Sequence, residues 1–108
     1  MHFRRHGEVV MYKIVFTKQS MKDLENLKRV GISQKAKVLV DIIREDPYQN
    51  PPRYEKLVGK LDGIISRRIN IQHRLVYQVY QEPITENDME YDGTIKIIRM
   101  WTHYDDVR

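Results

Sequence analysis

The amino-acid sequence predicts an α+β fold ordered β-α-α-β-β-β-β, a helical hairpin packed on one face of a mainly antiparallel, twisted sheet. Two observations lead there. Apolar residues recur at threes and fours from Met21 to Ile43, then at twos after Tyr54. Helical and strand patterns are therefore segregated along the chain, whereas a parallel α/β sheet would alternate them. Size sets the third bound. A chain of 108 residues, 41% of them hydrophobic, holds one core and leaves no room for a second.

The elements follow in order. Residues 1–10 (MHFRRHGEVV) read as a disordered extension, and residues 11–108 as one domain. The extension has no apolar stretch of the length a secretory signal needs, so none is expected. Tyr12–Phe16 (YKIVF) is rich in β-branched and aromatic residues and predicts the first strand. Thr17 and Ser20 offer capping hydroxyls for a helix whose face is Met21, Leu24 and Leu27. Gly31 breaks that helix and Ser33 is the expected cap of the next. Ala36, Leu39, Ile42 and Ile43 form its buried stripe, with Val38 and Val40 at the margins. Asp46-Pro47 ends it, because the residue before a proline disfavours the helical region.

Asn50-Pro51-Pro52 is a loop, after which the period changes to two. Glu55–Val58 predicts a short strand, and Asp62-Gly63 a turn. Ile64–Ile71 predicts a longer strand. Ser66, Arg68 and Asn70 share one of its faces, and Ile65, Ile69 and Ile71 the other. Arg67 falls on the apolar face, where its stem is expected to snorkel towards an edge. Gln72-His73 reads as a hairpin turn, and Arg74–Tyr80 as the next strand, with Arg74 and Gln78 on its polar face. Residues 81–93 (QEPITENDMEYDG) read as a long loop or an extended hairpin tip. Thr94–Trp101 closes the sheet, whose second face is expected to stay open to solvent or ligand.

Charge and composition narrow the function. The formal net charge is +4, and residues 51–81 carry six Arg and Lys against Glu55 and Asp62. The excess is thus confined to the middle third, as a polyanion partner requires; a merely solvated basic face is the competing reading. The chain has no cysteine, which excludes disulfides, thiolate metal sites and a cysteine nucleophile. This is compatible with the cytoplasm, where the protein is expected. The apolar runs are too short to span a membrane, so no membrane partner is expected. His2 and His6 have i, i+4 spacing but no further ligands near them, and no metal or other cofactor is expected.

The run Tyr54-Glu55-Lys56-Leu57, then Leu61-Asp62-Gly63, Ser66-Arg67-Arg68-Ile69, His73-Arg74-Leu75-Val76-Tyr77 and a terminal His103-Tyr104 is similar to the signature of the Txe/YoeB toxins, within the RelE-like group. The similarity runs from Met11 to Tyr104. S-R-R-I followed closely by H-R-L-V-Y is specific in combination, while each piece alone is weak. Two positions depart from the pattern: Ile65 stands where members often carry Trp, and Val58 where some carry Lys. The segment 81–93 is also longer than the usual hairpin there. The resemblance implies the toxin of a type II toxin–antitoxin pair, an endoribonuclease that needs no metal and cuts messenger RNA on the ribosome. It also implies neutralisation by a Phd/YefM-type antitoxin, contact with operator DNA only through that complex, and a possible homodimer.

Metal-free RNA cleavage uses the 2′-hydroxyl as nucleophile. A base takes its proton, charge grows at phosphorus, and an acid protonates the leaving 5′-oxygen. By the resemblance the base is Glu55; a free Glu, with a pKa of about 4.3, is ionised at neutral pH. Arg74 is the expected phosphate clamp, since a guanidinium offers paired planar donors and stays charged. His103 is the expected acid, as an imidazole with a reference pKa near 6.5 is about one-quarter protonated at neutral pH. Arg68, Tyr104, Arg67 and Lys56 complete the expected substrate-binding set, although the alternation turns Arg67 away. His73, at the predicted turn, is expected to be structural. Tyr77 is expected in the core, while Tyr48, Tyr54 and Trp101 are candidates for stacking on bases. Two other classes remain open: a non-catalytic module binding RNA or the ribosome, and an antitoxin-binding corepressor subunit. Binding alone needs the arginines but neither Glu55 nor His103.

Overall fold

The computed structural model describes residues 11–57 and 63–101. Strand β1 (Met11–Phe16) is followed by helices α1 (Lys18–Arg29) and α2 (Ser33–Glu45). Strands β2 (Tyr54–Lys56), β3 (Ile64–Arg68), β4 (Arg74–Tyr80), β5 (Ile84–Glu86) and β6 (Met89–Arg99) complete the domain. The sheet order is β1-β6-β4-β3-β2, with β5 also paired to β6. β1 runs parallel to β6 and every other pairing is antiparallel. The α+β class and the helical hairpin are as the sequence predicts.

Local chemistry explains the element ends. Thr17 caps α1: its Oγ1 accepts from the Ser20 amide at 3.0 Å and donates to the Ile98 carbonyl at 3.1 Å, tying the helix start to β6. Gly31, at φ 79°, closes the other end. Its amide donates to the Lys28 carbonyl and that of Ile32 to the Leu27 carbonyl, the paired closure of a Schellman turn. Ile32 thereby becomes the cap of α2, without a side-chain hydrogen bond. Ser33, expected as the cap, is instead the first helical residue.

The core lies between the helices and one sheet face. Leu27, Ala36, Leu39, Val40 and Ile43 meet Ile65, Leu75, Tyr77, Ile95 and Ile97. The buried stripe of α1 is rotated from the expected one: Ser20, Asp23 and Leu27 are buried, while Met21 is 51% exposed. Asp23 is bound on that buried face. Its carboxylate accepts from Arg99 Nε at 2.9 Å, the Met100 amide at 2.9 Å and Gln19 Nε2 at 3.0 Å. In α2, Val40 is buried and Val38 faces solvent.

The structure settles or changes three expectations about the sheet. β3 stops at Arg68, because Asn70 Oδ1 accepts from the Gln72 and His73 amides and turns the chain; Ile71 is left 86% exposed. Residues 81–93 take the second of the two forms expected, an extended hairpin. They contain β5, a two-residue turn and the start of β6. Asn87 and Asp88 at the turn both have positive φ (52° and 66°), as a type I′ hairpin requires. The second sheet face is also less open than expected, since Ser66, Arg74 and Val76 are buried there.

Candidate active site

Register builds the site. β2 pairs Glu55 with Ser66 on β3, and β3 pairs Arg68 with Arg74 on β4. Period-two alternation puts these four side chains on the sheet face away from the helices. There Arg74 reaches diagonally across β3. Its Nε donates to Ser66 Oγ at 2.6 Å and its Nη2 to Glu55 Oε1 at 3.0 Å. Arg74 is 8% exposed, whereas the Glu55 side chain keeps 44% of its surface. A cleft of about 530 Å³ opens beside them, lined by Pro52, Arg53, Tyr54, Glu55, Arg68 and Arg74.

The electrostatics favour an anion. Arg68 and Arg74 stand directly opposite each other on neighbouring strands, an arrangement that costs energy unless negative charge lies between or beside them. Glu55 answers Arg74, while Arg68 is exposed at the cleft wall. A phosphate on Arg68 and Arg74 would meet two forked, permanently charged donors with a carboxylate alongside.

The structure thus brings together Glu55, Arg74 and Arg68 of the expected residues and adds Ser66. The signature contains Ser66, and the alternation puts it on the polar face, but neither gives it a role. It orients Arg74. His103 and Tyr104 lie outside the described residues. Lys56 pairs with Ile65, which turns it to the helix side, where its Nζ lies 5.7 Å from the centre of the Tyr48 ring. Arg67 is also on that side and is fully buried. The snorkelling expected of it does not occur, because acceptors wait inside. Its Nε donates to Tyr77 Oη at 2.9 Å, its Nη2 to the Pro47 carbonyl at 3.1 Å, and its Nη1 to the Pro52 carbonyl.

Among the described residues, the other candidate rings pack on the protein. His73 is 3% exposed and stacks on Trp101, with ring centroids 4.2 Å apart and planes 22° from parallel. Tyr48 and Tyr54 meet at a tilt, 6.3 Å between centroids. Tyr77 is buried, as expected, and its hydroxyl donates to the Pro47 carbonyl at 2.7 Å. Burial pushes that hydroxyl's pKa up to about 12, against the lowering effect of the Arg67 hydrogen bond and charge.

The family model for the YoeB-like toxin of bacterial type II toxin-antitoxin systems matches residues 16–104. The chain belongs to that family. It is therefore the toxin of a toxin–antitoxin pair. Toxin YoeB of Synechocystis sp. is 37% identical over 71 residues, which cover 62% of this chain and 80% of that protein. Among solved structures, the YoeB/ParE toxin from Agrobacterium tumefaciens superposes with a TM-score of 0.71 at 28% identity, covering 85% of this chain and 99% of the other. The YoeB-YefM complex from Staphylococcus aureus contains a similar chain, with a TM-score of 0.63 at 29% identity and coverage of 86% and 98%. The matched span includes Glu55, Ser66, Arg68 and Arg74, so the cleft belongs to the part of this YoeB-like chain that the family shares.

Proposed function

We propose that this YoeB-like toxin cleaves messenger RNA on the ribosome by metal-independent attack of a 2′-hydroxyl, and that a YefM-type antitoxin neutralises it. The observation that carries the reading is the Glu55–Arg74 pair oriented by Ser66, with Arg68 opposite and a cleft beside it. A purely electrostatic binding surface needs no carboxylate among its arginines. A cleavage site does.

In this reading Glu55 takes the 2′-hydroxyl proton. The freed oxygen pair attacks phosphorus, while Arg68 and Arg74 hold the non-bridging oxygens as charge grows there. The bond to the 5′-oxygen breaks, and His103, two residues beyond Trp101 in sequence, returns a proton to it. The products are a 2′,3′-cyclic phosphate and a 5′-hydroxyl. Tyr104 orients the substrate.

The test is the purified chain added to ribosomes paused on a defined message. Fragments ending in cyclic phosphate support the reading; intact message under saturating binding overturns it. A binding-only role is the second reading, favoured by Arg68 and Arg74 standing opposite each other at the cleft, which is all that holding a phosphate requires. Equal ribosome binding and equal growth arrest by Glu55→Gln and the unaltered chain would establish it instead.

A further inference from the structure

Arg67 is a fully buried guanidinium whose described hydrogen-bond partners are neutral: the Tyr77 hydroxyl and the Pro47 and Pro52 carbonyls. A buried cation without a carboxylate is an expensive feature in a small domain. Two of its three hydrogen bonds, those to the Pro47 and Pro52 carbonyls, go to one segment, the chain from Pro47 to Tyr54 that leads into Glu55. Tyr77 reinforces them by donating to the Pro47 carbonyl at 2.7 Å. Tyr54, the neighbour of Glu55, lays its ring on the same guanidinium, 4.8 Å from ring centre to Arg67 Cζ.

β2 needs such a hold. It is a three-residue strand at the sheet edge, paired on one side only. On the open face Glu55 is held by Arg74, itself braced on Ser66. That grip is shared with substrate, because a phosphate taking Arg74 Nη2 competes with Glu55 for the same donor. The grip from the helix side is not shared. Ser66 and Arg67 are consecutive on β3, so alternation lets them act on the same short strand from its two faces.

We infer that Arg67 is a positioning residue for Glu55: through Pro52 and Tyr54 it keeps the carboxylate in place when substrate draws Arg74 away. This rests on the cleavage reading above. Arg67 contacts neither RNA nor the reacting atoms. Misplacement of a catalytic group by about 1 Å costs on the order of 100-fold in rate, so loss of the guanidinium is expected to act on turnover while leaving substrate binding alone.

The experiment compares the full chain with Arg67→Lys, Arg67→Met and the core variant Ile43→Ala, which lowers stability by a change on α2 and leaves the Arg67 hydrogen bonds in place. Two quantities are read: ribosome-dependent cleavage as kcat and KM, and hydrogen exchange of the Tyr54–Leu57 amides. For Arg67→Met we expect a 30- to 100-fold loss in kcat, KM within about twofold, and faster exchange confined to Tyr54–Leu57. Arg67→Lys, which cannot reach all three acceptors, is expected to recover only part of kcat. Ile43→Ala is expected to leave kcat unchanged. Unchanged kcat in Arg67→Met, or an equal loss in Ile43→Ala, overturns the inference. Unchanged exchange of the β2 amides also overturns it. If the unaltered chain leaves the message intact, the cleavage reading fails by itself, and the exchange measurement still decides whether Arg67 holds β2.

Discussion

Arg74 Nη2 lies 3.0 Å from Glu55 Oε1, and the reach crosses an intervening strand over Ser66. The arginine that suits a phosphate therefore also holds the carboxylate that suits a proton. The two roles separate under mutation. Glu55→Gln is expected to lower kcat about 100-fold or more with KM little changed, the usual scale for a general base. Arg74→Ala is expected to lower kcat and raise KM together. Initial rates on programmed ribosomes check both. Because Glu55 is well exposed, its loss is expected to change folding stability by no more than about 1 kcal/mol.

Asp23 is the buried anchor between α1 and the end of β6. Its carboxylate is fully buried and bound by Arg99 and the Met100 amide. Removing one partner leaves the other charge uncompensated. Asp23→Ala is expected to destabilise by about 3–5 kcal/mol in urea unfolding. Asp23→Asn, which keeps an acceptor for the Met100 amide, is expected to cost less.

Tyr77 predicts an alkaline limit. Its folded-state pKa is raised to about 12 from 10, chiefly by burial. A group whose pKa is raised on folding stabilises fully below its unfolded value and loses that contribution as pH climbs through the folded value. Stability from this residue is therefore flat up to about pH 10 and falls between about pH 10 and 12. Unfolding at successive pH values checks it: Tyr77→Phe is expected to be less stable at neutral pH and to show a shallower alkaline decline.

Gly93 is required by close approach. A Cβ there would lie 2.1 Å from the Tyr80 carbonyl oxygen and 3.0 Å from the Tyr12 ring. Backbone cannot yield as a side chain does. Gly93→Ala is expected to cost about 1–3 kcal/mol in thermal or urea unfolding, through displacement of β6 from β4.

Much of this was legible in sequence. The switch from helical to alternating period located the helices and the strands carrying Ser66, Arg68 and Arg74, because each element buries one face. The same alternation put Arg67 opposite them. What it lacked was tertiary. Asp23 carries no sequence signal of its own, since its partner Arg99 is 76 positions away. Arg67 was expected at an edge, because the carbonyls of Pro47 and Pro52 that satisfy it become neighbours only on folding. The acidic composition of residues 81–93 left loop and hairpin both open, although Asn87-Asp88 is a pair that tolerates the positive φ of a tight hairpin. His103 and Tyr104 remain expectations carried by the family signature.

Glu55 and the arginines beside it are proposed as a cleavage site. The most direct measurement is sequencing of the 5′ ends of fragments made when the purified chain acts on ribosome-bound message, side by side with Glu55→Gln. Discrete 5′-hydroxyl ends at the ribosomal decoding position are expected with the unaltered chain, and their near-disappearance with Glu55→Gln at equal ribosome occupancy. Ends of equal position and abundance in both samples, or none in either despite full occupancy, would contradict the cleavage reading.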